Sequence, residues 1–184
     1  MENQNLKLKN LVFIALMTAV LCILAPLSIP IGPIPLSLAT FVVYLMGYIL
    51  GWKMGAISVI LYLLIGIVGV PVFSGYGAGL QKVVGPTGGF LIAYILLAVI
   101  TGMACERFKC SYVPCIIAMV VATFILYMIG SAWLAFSNHM TFGAAIAAGM
   151  LPFLLGDAIK IGFAAVLGKT LHANLNKAGI TIYN

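Results

Sequence analysis

Long apolar runs, broken by short clusters of glycine, proline or charge, divide this chain into six segments. They lie at about 8–26, 36–50, 54–70, 90–105, 113–136 and 144–171. None alternates polar and apolar residues in the manner of membrane β-barrel strands. Continuous apolar runs of this kind predict helices that cross a bilayer, which take roughly 20 residues each. The breaks between them differ in kind. Gly51-Trp-Lys53 and Glu106-Arg-Phe-Lys109 are short charged turns. Pro26-Leu-Ser-Ile-Pro-Ile-Gly-Pro-Ile-Pro35 contains prolines that forbid a continuing helix, yet it is apolar. Irregular backbone at membrane depth must be covered by protein or line a cavity, so this loop is expected to re-enter over the bundle. The segment Gly69–Gly89 is dense in glycine, which lets main chain approach a ligand closely.

Composition agrees with the pattern. Of 184 residues, 64% are hydrophobic and 7% charged, against about 25% charged in a soluble domain. The expectation is an all-α membrane protein, a six-transmembrane-helix bundle forming a single integral domain over 1–184. Its net charge of +6 bears on topology rather than on nucleic acid. With six spans, Lys7, Lys9, Lys53, Arg107, Lys109, Lys169 and Lys177 fall on one side and Lys82 on the other. Cytoplasmic loops carry the excess of Lys and Arg, so both termini are expected to be cytoplasmic. Lys7 and Lys9 followed by the apolar run 11–25 imitate a signal peptide, but no clear cleavage site follows, and the run reads as a retained first span. Cys22, Cys105, Cys110 and Cys115 form no CxxC and have no histidine nearby, so they read as free apolar thiols and no metal is expected.

Two residues break the apolar pattern of the sixth run. Asp157 and Lys160 are three apart, so on a helix they share a face. At the membrane centre each would cost roughly 2.5–3.5 kcal/mol. Two roles remain open for them: a site facing a cavity, or a mutually neutralising pair that locks helices. Catalysis finds no support. Gly85-Pro-Thr-Gly-Gly89 lacks the Gly-Lys-Ser/Thr ending of a P-loop, no second carboxylate accompanies Asp157, and His139 and His172 lie in loop and tail. An enzyme is therefore not expected, nor any cofactor. Asp157 lies about half-way along the sixth span, which enters from the side of the Pro-rich and Gly-rich loops. Those three elements would frame a cavity open to the outside. Tyr44, Phe73, Tyr76 and Phe90 are candidate lining residues, and Gly75, Gly77, Lys82, Gly85 and Thr87 join Asp157 and Lys160 as candidate contacts. Ala15-x-x-x-Ala19, in the middle of span one, has the small-residue spacing that lets another helix come close.

Gly69-Val-Pro-Val-Phe-Ser-Gly75, Gly85-Pro-Thr-Gly-Gly-Phe90 and Pro152-Phe-x-x-Gly-Asp-x-x-Lys160, together with Ile29-Pro-Ile-Gly-Pro-Ile-Pro35, resemble the BioY family. These are the biotin-specific substrate-binding (S) components of energy-coupling factor (ECF) transporters. The resemblance covers nearly the whole chain. It implies a six-helix protein of a prokaryotic cell membrane that binds biotin in an outward-facing cavity. It also implies a transmembrane coupling protein and two cytoplasmic ATPases as partners, with ATP used by those partners only. On the same ground, Asp157 and Lys160 would hold biotin's polar groups, and Ala15 and Ala19 would dock on the coupling protein. One departure stands out: Ser37-Leu-Ala-Thr40 replaces a Thr-Leu-Gln-Thr-like run, with Ala39 in place of glutamine. Two other readings stand beside this one. The first is an S component for another vitamin, or a carrier acting alone. The second is a membrane scaffold with a structural Asp–Lys pair.

Overall fold

The computed structural model describes residues 2–31, 33–178 and 180, with side chains from Leu8 onward. The side chain of Lys7, counted above among the cations of one side, lies outside this set, as does Gly32 of the first loop. Helix α1 spans Glu2–Leu24, and α2 spans Ala39–Val68. The short α3 covers Leu80–Val84, followed by α4 at Gly88–Arg107 and α5 at Tyr112–Ser137. The chain closes with α6 at Phe142–Gly149 and α7 at Leu154–Lys177.

Helix α2 contains the second and third spans. Gly51 interrupts it with φ 71° and ψ −169°, a region essentially restricted to glycine. The chain turns back so sharply there that a Cβ on Gly55 would lie 3.9 Å from Met46 Cβ. The arms 39–50 and 52–68 therefore act as two crossings joined by one residue. With α1, α4, α5 and the α6–α7 unit, the described residues form six crossing segments. The α2 run, α4, α5 and the stretch Phe142–Lys177 each have the length and apolarity to cross a bilayer.

The core lies between α2 and its neighbours α4, α1 and α7, around the fully buried Tyr44, Tyr48, Tyr62, Phe73 and Met46. Side chains such as Leu16 and Ile23 on α1, Ile117 and Phe124 on α5, and Leu155 and Phe163 on α7 face outward and are exposed. A helix that is apolar all round suits a bilayer, where the solvent is as apolar as the core. Some of the few polar groups inside are satisfied locally, whereas Tyr62 Oη, Thr101 Oγ1 and Ser131 Oγ are buried without a hydrogen-bond partner among the described residues. The Thr18 hydroxyl donates to Ser58 O at 3.3 Å, and Ser58 Oγ donates to Met54 O at 2.9 Å.

Two expectations change. The first loop is a β-hairpin, β1 at Ser28–Ile31 and β2 at Ile34–Ser37, pairing antiparallel. Pro30 stands opposite Pro35. Neither has an N–H, so the pair fits a ladder position that makes no hydrogen bond. The other change concerns the last span, which is not one continuous helix. A 3-10 turn at Leu151–Phe153, with Pro152 in it, separates α6 from α7. Asp157 thus lies in the first turn of α7, not half-way along a helix.

The hairpin, the 69–87 segment and the α6–α7 break meet at one end of the bundle. At the opposite end Trp52, Met103, Glu106, Arg107 and Lys109 surround a recess. There the Trp52 backbone N–H donates to Glu106 Oε1 at 3.0 Å, and Lys169 Nζ sits 3.8 Å from the Tyr112 ring centroid.

Candidate functional site

Helix α7 begins with Leu154, and its first N–H groups lack intrahelical partners. They create a positive end, and Asp157 is placed there. Its side chain is 6% exposed and that of Lys160 12%. Lys160 Nζ lies 2.8 Å from Asp157 Oδ1. The same ammonium donates to Ser37 O at 2.7 Å and to Thr40 Oγ1 at 3.2 Å, which uses all three of its hydrogens. Thr40 Oγ1 donates to Asp157 Oδ1 at 3.1 Å, and Tyr127 Oη donates to Asp157 Oδ2 at 2.5 Å. Four elements thus converge on one ion pair: the end of β2 on the ammonium, the start of α2 on both charges, the middle of α5 on the carboxylate, and α7 itself.

These groups line a cavity of about 40 Å³ whose walls include Ile34, Pro35, Phe90, Tyr94, Leu126 and Phe153. One water needs about 10–15 Å³ on this measure, so the space holds a few waters. A second chamber of about 20 Å³ adjoins it, lined by Phe73, Ser74, Lys82, Thr87 and Leu91. The two share Ile34, Pro35, Phe90 and Tyr94 as walls. Because Ile34 and Pro35 belong to β2, displacement of one strand would join the chambers. A larger apolar cleft of about 210 Å³ opens between α5 and α7 on the outward side, past Val120, Phe124 and Leu154. Its polar margin is Thr123, Tyr127 and Asp157. The donors of both hydroxyls are spent inward, Thr123 on Met119 O at 2.6 Å and Tyr127 on Asp157, so neither hydroxyl offers the cleft a hydrogen.

The expected residues separate into groups. Asp157, Lys160 and Phe90 line the first chamber; Phe73, Lys82, Thr87 and Phe90 line the second. The aliphatic stem of Lys82 crosses Gly77, where a Cβ would come within 2.9 Å of Lys82 Cε. Gly75 has φ 69° and donates its N–H to Pro26 O at 3.1 Å, tying this segment to the hairpin. Gly85 gives its carbonyl to Trp133 Nε1 at 2.9 Å. Tyr44 is buried behind the first chamber, its hydroxyl 2.5 Å from Thr123 Oγ1. Tyr76 is 65% exposed and lines neither chamber. Ala15 and Ala19 lie on the exposed face of α1, away from both.

Sequence reasoning missed Ser37, Thr40, Tyr94 and Tyr127. Thr123 and Tyr127 are spaced i, i+4 in an apolar helix, and that spacing was the available signal. Ala39 is fully buried and lines neither chamber. Its neighbours Ser37 and Thr40 do the lining.

Known proteins share this architecture. A family model described as the BioY family matches residues 1–177. A protein of Pyrococcus horikoshii described as a probable biotin transporter BioY is 36% identical over 169 residues, covering 92% of this chain and 99% of that one. A biotin transporter BioY of Thermotoga maritima is 37% identical over 164 residues, covering 89% and 96%. A crystal structure of the S-component for biotin from an ECF-type ABC transporter superposes with a TM-score of 0.86 at 30% identity, covering 94% of each chain.

Proposed function

The chain belongs to the BioY family, and from that premise we infer that it is the biotin-binding membrane subunit of an ECF-type vitamin importer. It is a transport component rather than an enzyme, and it works with the other ECF components. The observation that supports this most is the 94% mutual coverage with a biotin S-component at 30% identity.

The chemistry of the two chambers fits the ligand. Biotin combines a cyclic urea, an apolar thioether ring and a carboxylate. A carboxylate and an ammonium beside an apolar wall complement such a molecule. On this reading Asp157 and Lys160 hold polar groups, while Phe73 and Phe90 form the apolar wall. Gly75, Gly77, Gly85, Lys82 and Thr87 form the margin, and Tyr44, hydrogen-bonded to Thr123, packs in the core behind the first chamber. The chain is one integral domain of a prokaryotic cell membrane with both termini cytoplasmic. Energy comes from ATP hydrolysed by partner subunits, reached through a coupling protein docked at Ala15 and Ala19.

Thermal unfolding of the purified protein in detergent tests the ligand. Biotin at a thousand times its Kd should add about 4 kcal/mol of stability by mass action, with no response to other vitamins. A shift with another vitamin and none with biotin would reassign the subunit; no shift with any vitamin would favour a scaffold. Docking is tested separately. Ala15→Leu/Ala19→Leu should retain biotin binding and lose co-purification with the coupling protein, because the small exposed stripe no longer admits a second helix. Intact assembly would rule this contact out.

A further inference from the structure

We propose that the recess between the Gly51 turn and the end of α4 holds the headgroup of an anionic phospholipid. Its phosphate lies on Arg107 and Lys109, and its glycerol and upper chains lie against Trp52 and Met103. The site is at the end of the bundle opposite the two chambers. It takes from the reading above only that the chain spans a bilayer.

The recess measures about 620 Å³ and is walled by Trp52, Met103, Glu106, Arg107 and Lys109. Its two sides are tied together. The arm 52–68 begins at Trp52, where N–H groups lack helical partners, and Glu106 accepts the Trp52 N–H at 3.0 Å. Beyond Arg107 the chain turns tightly. Phe108 N–H donates to Ala104 O and Cys110 N–H to Cys105 O, both at 2.9 Å. Lys109, with φ 49°, is presented from this turn and is exposed, as is Arg107.

The charge of the recess is unbalanced. The carboxylate of Glu106 is turned into the joint with Trp52. Among the described residues the single ion pair is Asp157–Lys160, at the other end. Arg107 and Lys109 therefore have no acidic partner at salt-bridge distance. Lys53 adds a third cation at the lip, its ammonium 5.2 Å from the Trp52 ring centroid. The depth selects the anion. Both sides of the recess are ends of spans, so it opens at headgroup level. Trp52 and the exposed Phe108 and Tyr112 form an aromatic edge beside it, where Trp and Tyr commonly sit. The anion met at that level is lipid phosphate, and basic pockets between spans bind anionic headgroups. The Arg107 guanidinium offers a fork for two phosphate oxygens, and Lys109 a point charge. A zwitterionic headgroup brings its own cation beside the phosphate, and the three basic residues oppose it. A net-negative headgroup meets no such opposition.

The test equilibrates purified protein in micelles with equal amounts of dioleoylphosphatidylglycerol and dioleoylphosphatidylcholine, and counts retained lipid by native mass spectrometry. The wild type should prefer the anionic lipid by roughly thirtyfold, each of two basic contacts giving about fivefold. Arg107→Gln and Lys109→Gln should each lose about fivefold of that preference, and the double variant should lose it entirely. An unchanged melting temperature in the choline lipid reports an intact fold. Lys169→Gln/Lys177→Gln removes as much charge from the same end outside the recess and should keep the preference. Raising the salt concentration should weaken it in the wild type. A double variant Arg107→Gln/Lys109→Gln that still prefers the anionic lipid overturns the site. Equal loss in both double variants overturns it in favour of diffuse surface charge. Release of the lipid by an equal concentration of inorganic phosphate overturns it in favour of a free anion. Loss of co-purification with the coupling protein in Arg107→Gln/Lys109→Gln, with lipid retention unchanged, assigns the surface to that partner instead. Biotin binding should be the same in every variant. A wild type that prefers the anionic lipid but binds no biotin would leave this site standing and remove the vitamin reading.

Discussion

Asp157→Asn is expected to weaken biotin binding by roughly a hundredfold, the upper range for hydrogen bonds to a charged group, and to destabilise the protein without ligand. The carboxylate accepts from Lys160, Thr40 and Tyr127 at once. Asparagine offers one acceptor oxygen and turns an N–H₂ donor toward other donors. Lys160, 12% exposed, would be left as an uncompensated charge. Removing one partner of a buried pair costs about 3–5 kcal/mol. Thermal unfolding and calorimetric titration read the two effects separately. The double variant Asp157→Asn/Lys160→Met removes the stranded charge. It should recover most of the stability and none of the biotin affinity. A single variant as stable and as tight-binding as the wild type would refute both the site and the electrostatic argument.

The second large effect is at the other end of the bundle. A Cβ on Gly102 would fall 2.4 Å from Trp52 N and 2.5 Å from Gly51 C. Both are backbone atoms at the break in α2, so no side chain can rotate to make room. Gly47 lies one turn away, and a Cβ there would meet Thr101 Cγ2 at 2.6 Å. Helix α4 therefore crosses α2 at backbone contact, the close approach that small residues permit in membranes. Gly102→Leu should cost more than the usual 1–3 kcal/mol of overpacking, enough to prevent a monodisperse protein. Size-exclusion profiles of a fluorescent fusion would show this, with Gly102→Ala intermediate. A symmetric peak and unchanged melting temperature for Gly102→Leu would mean that the helices do not cross there.

The bundle was legible in the sequence because a bilayer imposes length and continuity on every span. The turn at Gly51 was legible because charge and glycine cluster there. The hairpin was not. Alternating prolines argue against both regular structures, and only the register that opposes Pro30 to Pro35 reconciles them with a strand pair. Pro152 was a visible sign of the break before α7, but the apolar run passes through it without a change in composition. In the site, Asp157 and Lys160 stood out because charge is rare in such a chain. Tyr94, Tyr127, Ser37 and Thr40 did not, because neutral hydroxyls are common in apolar helices. What selects them is convergence from elements as much as 123 residues apart in sequence, and no local pattern records that.

The ion pair also has an electrical consequence. Moving one elementary charge through a membrane potential of 100 mV involves about 2.3 kcal/mol. Asp157 and Lys160 sit 2.8 Å apart on consecutive turns of α7, so any displacement of that helix along the field carries both charges together. The voltage then does no net work on the pair. The recognition element of this subunit can change its depth in a polarised membrane without being driven or held back by the potential across it.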